Sequence, residues 1–238
     1  MRTAYTVFRN LYNVRKMTMK LVLASGSQRR RELLTMCGYD YEIIVSNADE
    51  TIDENDPESF VRALSFRKAK EVFDRLFAAG RRDFAVIGSD TVVAFQKEGG
   101  TKPVIIGKPK DAEDAVRILS MLSGKTHRVF TGVSVIADIP DENAAAQCSI
   151  RKKEEIQTEC SITEVTFETL SPDEIADYVN SGDPLDKAGS YGIQGPFGMF
   201  VREIRGNYFT VIGMPIPVLY KMLKKIGILP HGFYERIE

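Results

Sequence analysis

Residues 21–34 read LVLASGSQRRRELL, and no other stretch limits the fold so strongly. Leu21, Val22 and Leu23 form a short β run, and Ala24, Ser25, Gly26 and Ser27 are small turn residues. Gln28 to Leu34 then read as the first turns of a helix. Arg29, Arg30 and Arg31 lie in those turns, where the helix dipole is already positive. The arrangement is poor for the helix alone. It is sensible where an anion sits at the helix start, because backbone N–H groups, hydroxyls and guanidinium forks converge there. Phosphate suits such a site best. The plainer alternative is a basic face on a soluble helix.

The rest of the chain alternates strand and helix signals. Residues 41–45 read as a strand, followed by the acidic exit Asp49-Glu50. Asp56 and Pro57 have the chemistry of an N-cap and first helical position, and apolar residues recur at helical spacing from Phe60 to Leu76. Residues 84–87 form an apolar strand that continues, after Gly88-Ser89-Asp90-Thr91, through Val92 to Phe95. Residues 104–106 read as a short strand, 111–122 as a helix and 125–136 as a strand. Residues 138–158 are polar and read as a long excursion or an extended hairpin; residues 161–169 resume a strand. Ser171-Pro172-Asp173-Glu174 opens a helix in capping-box fashion. Residues 208–212 are expected to be a strand and 218–226 a closing helix. No internal repeat is visible.

Composition narrows the function. A formal charge of -1 offers no broad basic field for nucleic acid. Cys37, Cys148 and Cys160 share no metal spacing, and His127 and His231 are the only histidines, which excludes a His-rich centre and an ordinary structural zinc site. No apolar run approaches the ~18 residues of a membrane span. The composition points to the cytoplasm. Residues 1–20 carry five basic residues and no acid: a targeting segment, or a dispensable or untranslated extension, since Met17 and Met19 closely precede the first strand. Residues 21–230 are expected to form one α/β domain, with 231–238 as a tail. A homodimer is compatible with the sequence, but no stretch demands one.

Four patches are polar without structural need: residues 25–31, Asp49-Glu50, residues 88–91 with 107–109, and residues 183–195. Each falls at a strand end or helix start, and in α/β folds such ends converge on one crevice. Asp90 is the most conspicuous, because an acid in an apolar strand is costly unless paired or metal-bound. Asp90 and Glu50 can share a divalent cation such as Mg²⁺ or Mn²⁺, which needs only one or two protein carboxylates when it bridges phosphates. The polar patches contain no histidine base, GxSxG elbow, GxxxxGK[ST] loop or GxGxxG turn. Water activated by a metal and a carboxylate is the mechanism left.

These residues carry a resemblance. Residues 23–34 resemble the signature LASxSPRRxELL of the Maf family of nucleoside triphosphate pyrophosphatases, and residues 87–93, IGSDTVV, resemble its second motif. Gly107-Lys108-Pro109, residues 122–127, Thr131-Gly132-Val133 and residues 186–195 follow in family order, so the likeness covers about residues 21–226. It implies a mixed α/β fold, a largely central twisted sheet flanked by helices around a deep nucleotide cleft. It also implies metal-dependent cleavage between the α and β phosphates, giving the monophosphate and pyrophosphate. By resemblance, Asp90 is the catalytic acid and Arg29, Thr91 and Gln194 are substrate-selecting. Ser25, Arg30, Glu50, Lys68, Lys108 and Lys187 are further polar cleft residues. The Gly-Ile-Gln-Gly form at 192–195 resembles the branch acting on dTTP and UTP.

Within that reading Asp90 binds the metal or takes a proton from water, and Glu50 helps hold the cation. Arg29, Arg30, Lys68 and Lys108 neutralise the triphosphate. Lys187 joins them or pairs with Asp186. Gln194 has the donor and acceptor to read a pyrimidine edge. Lys68 can instead be a solvated helix residue, and Gln194 can satisfy loop backbone. Gln28 replaces the family's proline; Ser27 is expected to cap the helix and preserve the turn. The alternative function is a nucleotide-binding regulator of division or septum formation with slow hydrolysis.

Overall fold

The computed structural model describes residues 19–96, 99–100, 102–140 and 152–231. Its centre is a mixed sheet of seven strands among the described residues, in the order β2-β1-β3-β5-β6-β7, with β4 paired to β3. Strand β1 (Lys20–Leu23) leads into helix α1 (Gln28–Met36), and β2 (Tyr41–Ile43) returns parallel to β1. Helix α2 (Pro57–Ala78) crosses to β3 (Phe84–Phe95), also parallel to β1. Strands β4 (Val104–Ile106), β5 (Thr126–Pro140), β6 (Lys152–Phe167) and β7 (Val201–Arg205) add in antiparallel fashion. Helices α3 (Ala112–Leu122), α4 (Pro172–Asn180), α5 (Tyr208–Ile212) and α6 (Ile216–Lys225) complete the flanking layers.

Local chemistry sets the helix starts. Asp56 accepts from the Ser59 N–H with Pro57 in the first turn of α2, and Ser171 and Glu174 form a reciprocal capping box on α4. Alternation along β3 sends Val86, Gly88, Asp90, Val92 and Ala94 to the face covered by α2. Ala85 and Ile87 join α1 and α6 on the opposite face, while Val93 and Phe95 join α3 and α4.

Helix α2 lies unusually close to the sheet. A Cβ on Gly88 would stand 2.2 Å from the Ser65 carbonyl oxygen, and one on Gly132 would stand 2.1 Å from that of Val61. Only glycine tolerates such a backbone approach at these two places. The Ser65 hydroxyl, 2.9 Å from that of Ser134, stitches helix to sheet at the same level.

The register of β3 opens a notch in the sheet. Along one edge β5 pairs continuously from Ala85 to Ala94. Along the other, β1 ends at Leu23 opposite Ile87, and β4 begins opposite Val93. Residues 88–92 therefore have a strand on one side only, and the Arg30 side chain of α1 reaches Thr91 there.

Two segments differ from the sequence expectation. Residues 208–212 form helix α5, not a strand. Asn207 caps it through its side chain on the Phe209 N–H, and Gly213, at φ 109°, stops it. Five residues are too few for hydrophobic period to separate the two states. Residues 138–158 are largely an extended hairpin, because the β5–β6 register runs to Pro140 opposite Lys152; residues 141–151, with Cys148, lie outside the described residues. Residues 1–18 and 232–238, most of the expected extension and tail, are outside them too.

Candidate active site

Three groups of polar side chains lie about the notch. On the α2 face, the Lys68 ammonium donates to Asp90 Oδ1 at 2.8 Å and lies 3.0 Å from Glu50 Oε1. Lys68 and Asp90 are each 12 % exposed at the side chain, against 66 % for Glu50. Asp90 is thus the paired buried acid that its apolar strand demands. Lys68 is no solvated helix residue: the close approach of α2 at Gly88 and Gly132 brings it over β3. Asp90 Oδ2 has no hydrogen-bond partner among the described residues.

On the other face, the Arg30 guanidinium is locked in place. Its Nε donates to the Gly213 carbonyl at 2.9 Å, one terminal nitrogen to Ser25 Oγ at 3.1 Å, and the other to Thr91 Oγ1 at a long 3.4 Å. Three of its five N–H groups are engaged, which leaves one on each terminal nitrogen for an anion. Burial pulls its pKa below the ordinary arginine value, while the charges of Asp90 and Glu50 push it back up and Arg29 adds to the fall. Asp90 and Thr91 are consecutive on β3, so the two halves of the site are joined across one strand.

The third group is looser. Arg29 reaches Asp186 at 3.6 Å, and Lys187 binds Asp183 at 2.9 Å and Asp186 at 2.7 Å. Burial raises the Asp186 pKa, but the hydrogen bond and charge of Lys187, with the charges of Arg29 and Lys108, outweigh it and leave the group below the usual carboxylate range. Lys108 is exposed, and its loop is tied to this segment by the Gly189 N–H on the Gly107 carbonyl at 3.0 Å. Gln194 is exposed on the following loop and makes no hydrogen bond among the described residues. It is the one predicted site residue that the structure leaves without a link to the others.

The helix start differs in detail from expectation. Ser27 occupies the N-cap position, but its side chain caps nothing. Instead, Ser25 Oγ accepts from the Ser27 N–H at 3.2 Å, and Gln28 Nε2 donates to Glu32 one turn on at 2.8 Å. A proline at 28 would have stiffened this turn through φ alone; here side-chain hydrogen bonds hold it. Sequence reading also missed Gly213, Thr131 and Thr210 as supports of the site. Thr131 stood in a recognisable motif, but nothing in the chain advertised that its partner comes from 79 residues away.

His127, the only histidine inside the fold, is no candidate base. It is 2 % exposed, hydrogen-bonds the Tyr191 hydroxyl at 3.0 Å, and burial drives its pKa down to about 3. Among the described residues no three His, Cys, Asp or Glu side chains are grouped to hold a metal. Asp90 and Glu50 form the only pair of predicted ligands, and they converge on one ammonium. No helix among those residues is long and apolar enough to cross a membrane.

The chain is similar to proteins of known name. A dTTP/UTP pyrophosphatase of Agathobacter rectalis is 40% identical over 217 residues, spanning 88% of this chain and 98% of the relative. One from Bacillus thuringiensis subsp. konkukian is 42% identical over 210 residues, spanning 88% and 96%. Among solved structures, the Ham1 protein of Staphylococcus aureus superposes at a TM-score of 0.45 with 14% identity, over 87% of this chain and 98% of that one. The family model for Maf-like proteins matches residues 20–226. With all seven described strands inside that match and relatives 40–42% identical over most of both chains, the chain belongs to the Maf family.

Proposed function

We propose that this protein is a nucleoside triphosphate pyrophosphatase acting on dTTP and UTP. Water attacks the α-phosphorus, the bond to the α–β bridging oxygen breaks, and the products are the nucleoside monophosphate, pyrophosphate and a proton. The observation that carries the reading is a buried carboxylate, Asp90, paired with the half-buried Lys68 on one face of β3, while the half-buried Arg30 reaches its neighbour Thr91 on the other. The relatives' shared name supplies the bond cleaved and the bases.

A divalent cation fits the donor set. Asp90 and Glu50 already face one positive charge, and two carboxylates suffice for Mg²⁺ or Mn²⁺ when phosphate oxygens fill the remaining positions. When bound, such an ion supplies charge neutralisation at the phosphates. The protein's own groups do the rest. Asp90 Oδ2 accepts the proton of the attacking water. Arg30 presents its two remaining N–H groups to phosphate oxygens from a fixed position, where preorganised donors act most strongly on developing charge. Lys68, paired with both carboxylates, would be free to serve the phosphate oxygens were a cation held by Asp90 and Glu50. Arg29, Lys108 and Lys187 meet the leaving pyrophosphate, and Gln194 reads the pyrimidine edge with its amide. The proposed setting is the cytoplasm.

The test is pyrophosphate release from a panel of nucleoside triphosphates with Mg²⁺ or Mn²⁺ and with chelator, the nucleotide product identified for each. Monophosphate from dTTP and UTP, lost on chelation, is the expected outcome. Tight binding without pyrophosphate release would instead favour a nucleotide-binding regulator.

A further inference from the structure

The hydrogen bonds beneath Arg30 have a defined direction. The Thr131 hydroxyl lies 2.8 Å from the Thr210 carbonyl, which can only accept, so the single Thr131 proton is committed there. Thr91 Oγ1 lies 3.0 Å from Thr131 Oγ1, and the donor between them must then be Thr91. Arg30 has only donors, so it gives to Thr91. The chain therefore runs one way: Arg30 to Thr91, to Thr131, to the backbone of α5. Thr131 and Thr210 are both fully buried, so no water competes.

A second fastening reaches the same helix. The Gly213 carbonyl, at the end of α5, accepts from Arg30 Nε, and the Ser89 hydroxyl lies 2.9 Å from both that carbonyl and the Gly132 carbonyl. The conformation of Gly213 demands glycine. Its φ is 109°, and a Cβ there would stand 3.1 Å from Thr91 Oγ1. In the middle of α5, Thr210 Oγ1 is 2.7 Å from Ser161 Oγ on β6.

We infer that α5 is a positioning element for the nucleotide site, and that Thr131 is the positioning residue through which the sheet, by way of Thr91, sets the aim of Arg30. One consequence concerns Thr91. Its proton points inward, so toward a substrate it can only accept a hydrogen bond. The inference rests on the pyrophosphatase reading for the identity of the ligand, not for the geometry.

The test is a double-mutant cycle read by binding of α,β-imido-dUTP, with melting temperature recorded alongside. Thr131→Val removes the relay and keeps the shape; Thr131→Ser restores the hydroxyl. Valine is expected to weaken binding about tenfold, the worth of one well-placed hydrogen bond, with serine close to wild type. In an Arg30→Ala background, Thr131→Val is expected to change affinity less than about twofold, because the group it aims is gone. A full tenfold effect that persists without Arg30, or wild-type affinity in Thr131→Val, overturns the inference. Ser161→Ala, on a partly exposed side chain, repeats the cycle should valine not fold. A loss of about two- to threefold that vanishes with Arg30 supports the relay, and one that persists overturns it. The analogue resists cleavage at its imido bridge, so the two readings part cleanly. Wild-type protein that binds it but releases no pyrophosphate from dTTP or UTP overturns the pyrophosphatase reading alone; wild-type protein that does not bind it overturns both.

Discussion

Arg29 and Arg30 are neighbours on α1 with opposite fates. Arg30 is half-buried, donates to three oxygens from three separate segments and cannot turn without breaking all of them. Arg29 is 30 % exposed and rests 3.6 Å from an Asp186 carboxylate that is itself 70 % exposed. The same side chain is framework in one case and a loosely tethered arm in the other. The difference comes from the helix turn. About 100° of rotation separates consecutive residues, which aims one arginine under β3 and the other out toward residues 183–187. The carboxylate side repeats the pattern: Asp90 is buried on β3, and Glu50 is mostly exposed on a loop.

The largest effect tests the buried half. Asp90→Asn is expected to lower kcat about 10³-fold, within the range for loss of a general base, while the melting temperature stays near that of wild type. Retained turnover would remove Asp90 from the chemistry. Next, Arg30→Ala is expected to cost about 10²-fold in kcat/KM, because a fixed, desolvated donor is lost. That loss should change little with added salt. Arg29→Ala is expected to raise KM only about three- to fivefold, and the difference should shrink as ionic strength rises, since exposed charges are screened over about 10 Å at 0.1 M. Equal losses at the two arginines, or equal salt responses, would break the distinction between them. The smallest effect belongs to Asp186→Asn. An ion pair this exposed contributes about 1 kcal/mol at most, so freeing Arg29 should lower KM about twofold at low salt and leave stability almost unchanged.

A pH experiment separates framework from site. His127 is held neutral with its pKa lowered to about 3 from 6.5, so the unfolded chain binds its proton first as pH falls. Stability is therefore intact above about pH 6.5 and drops between 6.5 and 3 by up to about 1.4 kcal/mol per pH unit. His127→Phe should flatten that part of the melting-temperature profile without moving the pH profile of kcat. A matching shift in kcat would place His127 in the reaction after all.

Much of the fold was legible because it is local. Asp56 and Ser171 as caps, the apolar period of α2 and the continuous apolar run of β3 are properties of a few adjacent residues. The error at α5 has a physical origin. Its helical state is stabilised by Asn207 at one end, Gly213 at the other and the Thr131 hydroxyl on the Thr210 carbonyl, and only the first two are visible nearby in the chain. The Ser27 cap did not form; instead Ser25 accepts from the Ser27 N–H and from Arg30, partners that its place in the chain does not advertise.

The sequence by itself determined which residues carry charge into apolar surroundings, and so which must find partners: Asp90 in β3, and the arginines at the start of α1. It also determined, through Gly88 and Gly132, where a helix is able to touch the sheet. Tertiary structure alone decided the partners. Lys68 meets Asp90 because α2 packs against those two glycines. Arg30 meets Gly213 because α5 folds back against β5 and β6. Residues 88–92 face the site because β1 stops and β4 starts on the same edge of one strand. Burial makes pairing obligatory for a charge, but the identity of its partner is set by distances that no run of adjacent residues encodes.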